Sequence, residues 1–190
     1  MLQLNKKLIL ASKSPRRRQL LTEAGFEFEV RAIDVDESYP DTMPVAEVAG
    51  YIAHKKAVAN KDTIAADELL ITSDTIVILD DTIYEKPSDY DDAVAMLTAL
   101  SGKMHQVITG VCLWTQDKEV LFSEPAKVYL NELSPEEIDY YIKKYKPYDK
   151  AGAYAIQEWI GHCKIEKIEG TYTTIMGLPV HRIYQELSKF

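Results

Sequence analysis

The 190-residue sequence predicts a mixed α/β sheet protein, and three features carry that expectation. Its first third alternates strand-like and helix-like stretches. Its middle holds a run of strand-like stretches rich in β-branched residues. Its composition, 46% hydrophobic and 27% charged, is that of a globular chain able to bury a core. Alternation followed by a run of strands places the chain between the α/β and α+β classes. No repeat, low-complexity segment or linker interrupts it, so residues 1–190 are expected to form a single domain, with two lobes at most.

The elements follow in order. "KLILAS" (7–12) is a short buried strand bounded by serine. Ser14 is placed as an N-cap, with Pro15 at the first helical position where its missing N–H costs nothing. That helix runs through "RRRQLLTEA" and stops at Gly25. "FEFEV" (26–30) alternates apolar and acidic residues, as a half-buried strand does. Residues 44–60 carry apolar side chains at helical spacing. Residues 69–80, "LLITSDTIVILD", read as a buried strand interrupted at Ser73-Asp74, and "DDTIYEKP" (80–87) returns as a hairpin. A helix over 88–100 is capped by Ser88, with Asp91 three residues on, and ends at Ser101-Gly102.

Two longer strands, 104–115 and 119–130, flank a polar turn at Gln116-Asp117-Lys118. The helix at 134–145 opens with a capping box from Ser134 to Glu137 and with Pro135 at its first position. "GAYAIQ" (152–157) fits neither period. "CKIEKIEG" (163–170) alternates as a strand, with the adjacent His162 read as strand core packing. A last helix follows "GLP" (177–179).

A formal net charge of -8 argues against a general nucleic-acid binder, which needs a broad basic surface. Two cysteines make no disulfide framework, and with four scattered histidines they lack zinc-site spacing. The apolar run within residues 1–11 is too short for a secretory leader, and no stretch is long enough to span a bilayer. A reducing, cytoplasmic setting with no membrane partner is therefore expected.

Four constellations carry chemistry. In "SKSPRR" (12–17) a strand, a serine-rich turn and a helix N-terminus form a ready anion site. The hydroxyls of Ser12 and Ser14 donate to phosphate, and Arg16 and Arg17 add charge-assisted bonds. The alternative is a capped helix with a solvated basic face. Asp74 in "SDTIV" is a carboxylate in an apolar strand, which is costly unless paired. It reads as a metal ligand or general base, or else as a turn or strand-end residue. Glu37, Lys56 and Lys86 are each ordinary surface charges when taken singly. Taken together, the lysines help neutralise a triphosphate while Glu37 and Asp74 hold a divalent cation. In "DKAGAYAIQ" (149–157), Gln157 carries an amide that both donates and accepts, as a reader of a base edge must.

The ordered set "LASKSPRRRQLL", "KKAVA", "SDTIVILD", "EKP", "LSGKMHQVITGV", "DKAGAYAIQ" and "IMGLP" resembles the Maf family of nucleotide pyrophosphatases, over nearly the whole chain. The resemblance implies an elongated, twisted mixed sheet flanked by helices, in two lobes with a central cleft, similar to the inosine triphosphate pyrophosphatase architecture. It implies hydrolysis of a nucleoside triphosphate to the monophosphate and pyrophosphate with a divalent metal, Mg²⁺ or Mn²⁺. Asp74 matches the family's catalytic acidic residue, which accepts a proton from the attacking water. Arg16, Thr75 and Gln157 match the positions that separate its branches, and their combination resembles the branch acting on dTTP and UTP. Ser12, Ser14, Arg17, Glu37, Lys56 and Lys86 match its other cleft residues. The same resemblance allows a house-cleaning role on modified nucleotides, or a septum-formation role through a partner. It also implies a homodimer. "TYTTIMGLP" and "SDT" depart from the commoner family patterns.

Overall fold

Leu8, Ile9 and Leu10 are almost wholly buried in β1 (Lys7–Leu10), the strand on which the first part of the chain is built. The computed structural model describes residues 4–190. The expectation of no leader in residues 1–11 extends over 1–3, which lie outside the described residues. After β1 come α1 (Pro15–Glu23), β2 (Phe28–Val30), α2 (Val45–Asn60), β3 (Glu68–Leu79), β4 (Thr82–Tyr84), α3 (Tyr90–Leu100), β5 (Met104–Trp114) and β6 (Glu119–Leu130). Then follow α4 (Pro135–Tyr145), α5 (Trp159–Cys163), β7 (Ile165–Glu169), α6 (Tyr172–Met176) and α7 (Val180–Leu187). Among the described residues, seven strands form one mixed sheet in the order β2-β1-β3-β5-β6-β7, with β4 paired to β3. β1 runs parallel to β2 and β3, whereas β4 pairs with β3 and β7 with β6 antiparallel. A mixed sheet with helices is the predicted class.

The chain divides into two compact units. Among the described residues, the first comprises 4–74, 109–124 and 177–190. Parallel pairing of β1 with β2 and β3 requires crossovers, which α1 and α2 supply. Four of the residues that α2 buries are small, Ala49, Gly50, Ala53 and Ala57, which lets its backbone approach the sheet closely. A Cβ added to Gly110 of β5 would stand 2.3 Å from the Ala49 carbonyl oxygen, so no other residue fits that contact. The Thr72 hydroxyl donates to the Ala53 carbonyl at 2.7 Å and fixes the register of β3 against α2.

The second unit comprises residues 75–108 and 125–176. Its core gathers Val77, Leu97, Leu100, Val128, Ile142 and Tyr141. Asp80 and Asp81 both adopt positive φ, the two-residue turn that matches strand twist and closes the β3–β4 hairpin. The Ser134–Glu137 capping box forms as expected. His105 is 1% exposed, and its Nε2 lies 2.7 Å from the Tyr154 hydroxyl. Burial pushes the His105 imidazole down to about 4, which keeps it neutral near pH 7.

Several elements differ from the sequence reading. β3 runs unbroken through Ser73 and Asp74, because both side chains find partners. The α3 cap is Asp89, whose carboxylate accepts from the Asp92 amide at 2.9 Å, while the Ser88 amide donates to the Asp92 carboxylate. β7 begins only at Ile165; Cys163 ends the short α5, and His162 is exposed there. α5 and α6 are each five residues long, too short for periodicity to show. Both cysteines are free thiols.

Arg31 lies just beyond β2 and makes a bidentate pair with Glu68 at the start of β3, at 2.9 and 3.0 Å. With help from the Ala65 amide, it pulls the Glu68 carboxyl from 4.5 down to about 2. A carboxylate whose pKa is depressed in the folded state contributes stability above its unfolded pKa and loses it as pH falls through the folded value. Acidification from pH 5 to pH 2 should therefore destabilise the protein. Glu68→Gln should lower stability at pH 7 and flatten that acid limb, as read by urea midpoints across the pH series.

Candidate active site

The first unit assembles most of the predicted site on α1, α2 and β3. Thr72 and Asp74 lie two residues apart on β3 and so share one sheet face. Ala53 and Lys56 lie three apart on α2 and so share one helix face. The Thr72–Ala53 bond therefore leads directly to a second contact: Lys56 Nζ lies 2.7 Å from Asp74 Oδ1. The same ammonium lies 2.7 Å from Glu37 Oε1. Lys56 and Asp74 side chains are 13% and 12% exposed, so the pair is largely dry, while Glu37 is open to solvent. Removing Lys56 would leave the Asp74 charge uncompensated, at a cost of about 3–5 kcal/mol, whereas Lys56 without Asp74 still has Glu37.

Glu37 has no regular secondary structure beneath it. Its loop is held instead by Lys55, the neighbour of Lys56, whose Nζ contacts Asp36 Oδ2 and the Ser38 carbonyl, each at 2.9 Å. The Ser38 hydroxyl and Lys55 together hold the Asp36 carboxyl down at about 2. Adjacent lysines on one helix thus anchor adjacent carboxylates on one loop.

At α1, Ser14 is the N-cap residue and Pro15 opens the helix, as the sequence indicates. The Ser14 side chain caps no helix amide, and the first turn holds no acidic residue. A positive helix end carrying Arg16 and Arg17 is the expected setting for an anion. Arg17 Nε donates to the Gly177 carbonyl at 2.8 Å, and its Nη1 to Ser12 Oγ at 3.3 Å. Ser12 Oγ also accepts from the Ser14 amide at 3.2 Å. Burial lowers the proton affinity of Arg17, with Asp74 and Glu37 acting in opposition; at pH 7 the guanidinium stays charged.

Two participants escaped the sequence reading. Ser73 Oγ donates to the Gly177 carbonyl at 3.2 Å, so this one oxygen receives both Arg17 and the residue before Asp74. Gly177 reaches that position at φ 109°, outside the range of L side chains. The glycine of "IMGLP" was the available signal, since a left-handed glycine marks a backbone group with a required direction. The buried Ser73 in an otherwise apolar strand was the other.

Thr75, Lys86 and Gln157 belong to the second unit. Thr75 continues β3, and Lys86 is exposed beyond β4. Gln157 sits in the irregular segment between the 3₁₀ turn Ala151–Ala153 and α5. Its Oε1 is buried and has no hydrogen-bond partner. Such an acceptor is costly to leave unmatched, and it marks a place where a donor is expected.

No group of three or more His, Cys, Asp or Glu side chains among the described residues is arranged to hold a metal. Asp74 and Glu37, joined by Lys56, supply two carboxylates. That set is of the oxygen type that a hard divalent cation takes, with phosphate oxygens and water completing its shell.

Residues 7–190 match the family model described as Maf-like protein. The chain belongs to the Maf family. It is 56% identical to the dTTP/UTP pyrophosphatase of Parabacteroides distasonis, over 97% of this chain and 96% of that protein. It is 54% identical to the dTTP/UTP pyrophosphatase of Phocaeicola vulgatus, over 96% and 95%. Among solved structures it is similar to the Staphylococcus aureus Ham1 protein, with a TM-score of 0.48 and 13% identity over 66% of this chain and 72% of that one. No helix among the described residues is long and apolar enough to cross a membrane.

The expectation that "SPRR" binds phosphate is directly testable. Arg17→Ala should weaken binding of inorganic triphosphate by about 10- to 100-fold, the range for loss of a hydrogen bond to a charged group. Arg17→Lys should recover only part, because an ammonium lacks the fork that reaches Gly177 and Ser12 together. Titration calorimetry decides between this and a solvated basic face, for which both variants would bind like the parent.

Proposed function

We propose that this chain hydrolyses dTTP and UTP to the monophosphate and pyrophosphate. The observation that carries the reading is Asp74, a nearly buried carboxylate in mid-strand held at 2.7 Å by Lys56. A mid-strand carboxylate is retained at such cost where its charge has a task. The names of the Parabacteroides and Phocaeicola relatives supply the substrates, and the Gln157 amide supplies a physical reason for them.

In the proposed reaction the N-terminus of α1, Ser12, Ser14, Arg16 and Arg17 bind the triphosphate. Lys56 and Lys86 offset its remaining charge, and the two units act as a single domain. Asp74 accepts a proton from a water that attacks the α-phosphorus. The α–β anhydride bond breaks and pyrophosphate leaves. Lys56 holds the Asp74 carboxylate in orientation while its second contact anchors the Glu37 loop. Asp74 and Glu37 would hold a Mg²⁺ or Mn²⁺ ion, which when bound supplies charge neutralisation at the leaving group.

Specificity falls to neutral groups, because every nucleoside triphosphate presents the same phosphates. Uracil and thymine offer an N–H flanked by two carbonyls. Gln157 Oε1 accepts from that N–H while its amide NH₂ donates to a carbonyl. Cytosine has an acceptor where the N–H stood, so two acceptors face each other and the site is left unpaired. Arg16 and Thr75 are the other selectivity positions in this reading.

Asp74→Asn should keep the fold and lower turnover by about two to four orders of magnitude, the usual contribution of a general base. A pyrophosphate-release assay with Mg²⁺ or Mn²⁺ measures it; near-parental turnover in a folded variant would falsify the assignment. In the same assay, dTTP and UTP should lead CTP, dCTP and the purine triphosphates in kcat/KM. Gln157→Ala should erode that ranking more than it lowers kcat. Comparable kcat/KM for UTP and CTP in the unmodified protein would refute the substrate assignment.

A further inference from the structure

We propose that Glu158, acting through Tyr141 and with Lys150 behind it, is a positioning residue that aims the Gln157 amide. This inference rests on the reading of Gln157 as the group that meets the base. It arises from how the segment around Gln157 is held. That segment, residues 154–158, belongs to no helix or strand, so its backbone has no ladder of its own to fix it.

One turn bond, from the Glu158 amide to the Ala155 carbonyl at 3.1 Å, closes the segment, and side chains hold that turn from outside. The Tyr141 hydroxyl accepts from the Ala155 amide at 3.0 Å, two residues before Gln157. The same hydroxyl donates to Glu158 Oε2, one residue after it. One phenol oxygen thus grips the chain on both sides of Gln157. Tyr141 is itself immobile: it is 0% exposed in α4 and stacks on Tyr145 at 4.9 Å between ring centroids. Glu158 is held from its other oxygen by Lys150, whose Nζ lies 3.5 Å from Oε1 and 2.8 Å from Asp149 Oδ1. The Lys150 side chain is 9% exposed and that of Glu158 18%, so this pair is largely desolvated.

A third hold comes from α5. A Cβ on Gly161 would fall 1.6 Å from the Ile156 carbonyl oxygen, so the helix backbone presses directly on the residue before Gln157. Ala155, Ile156 and Glu158 are each anchored, yet Gln157 Oε1 in their midst has no partner. A loop fixed on every side of one unmatched acceptor is ordered before its ligand arrives, which spares the ordering entropy that binding would otherwise oppose. None of Tyr141, Lys150 or Glu158 is given a direct contact with substrate in the reaction above.

The test compares Glu158→Ala, Glu158→Gln, Gln157→Ala and the double variant Gln157→Ala/Glu158→Ala, with UTP and CTP as substrates and thermal melts as the folding control. Glu158→Ala should raise KM for UTP more than it lowers kcat, and should cut the UTP-over-CTP ratio of kcat/KM by about tenfold, the worth of one well-placed hydrogen bond. Glu158→Gln keeps an acceptor for Tyr141 and loses only the charge facing Lys150, so it should recover most of the ratio. Tyr141→Phe, which removes the hydroxyl and keeps the ring, carries the test if Glu158→Ala does not fold: it should cut the same ratio, and a folded Tyr141→Phe with the parental KM and ratio would overturn the proposal. Because Glu158 acts through Gln157, the double variant should be no less selective than Gln157→Ala alone. Additive losses, or a folded Glu158→Ala that keeps the parental ratio, overturn the inference. If Gln157→Ala itself leaves the ratio unchanged, the base-reading assignment of Gln157 fails first, and the positioning role fails with it.

Discussion

The ammonium of Lys56 is the constraint on which the first unit turns. It touches Asp74 and Glu37 at the same 2.7 Å, and one of those carboxylates sits in the middle of a nearly dry strand. Asp74 can be there only because a cation meets it, and the cation can reach it only because α2 lies close to β3. That closeness depends on residues with no chemistry: Ala49, Gly50, Ala53 and Ala57 on the helix, and Gly110 on β5 opposite Ala49. Larger side chains would lift α2, lengthen the Lys56–Asp74 contact and strand two charges in low dielectric. The packing of small apolar residues and the placing of one charge are thus a single requirement.

A second hub is a backbone oxygen. The Gly177 carbonyl accepts from Arg17 on α1 and from Ser73 on β3, so the residue before Asp74 and the guanidinium at the helix end share one acceptor. A carbonyl has two lone pairs and can serve both without competition. Its direction is set by a φ of 109° that only glycine adopts without strain. The "IMGLP" segment, remote in sequence from "SKSPRR" and "SDT", therefore sets the geometry of both.

The difference between what the sequence makes legible and what it hides is physical. Helices with caps and strong period were readable: Pro15 and Gly25 bracket α1, and Ser134 with Glu137 opens α4. Charged residues were readable as candidates because apolar surroundings make a charge conspicuous, as with Asp74 in "SDTIVIL". Pairings were not readable. Nothing in the spacing of 18 residues between Lys56 and Asp74 says that helix and strand meet there. Asp74 was expected to interrupt β3 because an unpaired carboxylate would; with Lys56 in place the strand continues. The His105–Tyr154 pair and the Tyr141–Glu158 bond were hidden for the same reason, since each joins residues on different elements of the second unit. Short α5 and α6 lack the length over which a 3.6-residue period can be recognised.

On the proposed reading, the two ends of a nucleotide demand different physics. Phosphates are strongly charged and identical in every substrate, so arginine, lysine and a helix N-terminus bind them tightly and discriminate little. A base edge is neutral and differs between substrates by single donors and acceptors, so it is distinguished only by a neutral group with fixed direction. Direction is difficult to fix in a loop, because a loop lacks repeating hydrogen bonds. The second unit meets that difficulty with charge used at one remove: Lys150 faces Glu158, Glu158 accepts from Tyr141, and Tyr141 accepts from the Ala155 amide. Gln157 is left uncharged within this frame. On the proposed reading, a cation placed directly at Gln157 would bind the base edge more strongly but would tolerate more bases, since it donates to any carbonyl. In the same reading the amide matches one pattern, and the ion pair behind it keeps the amide in place.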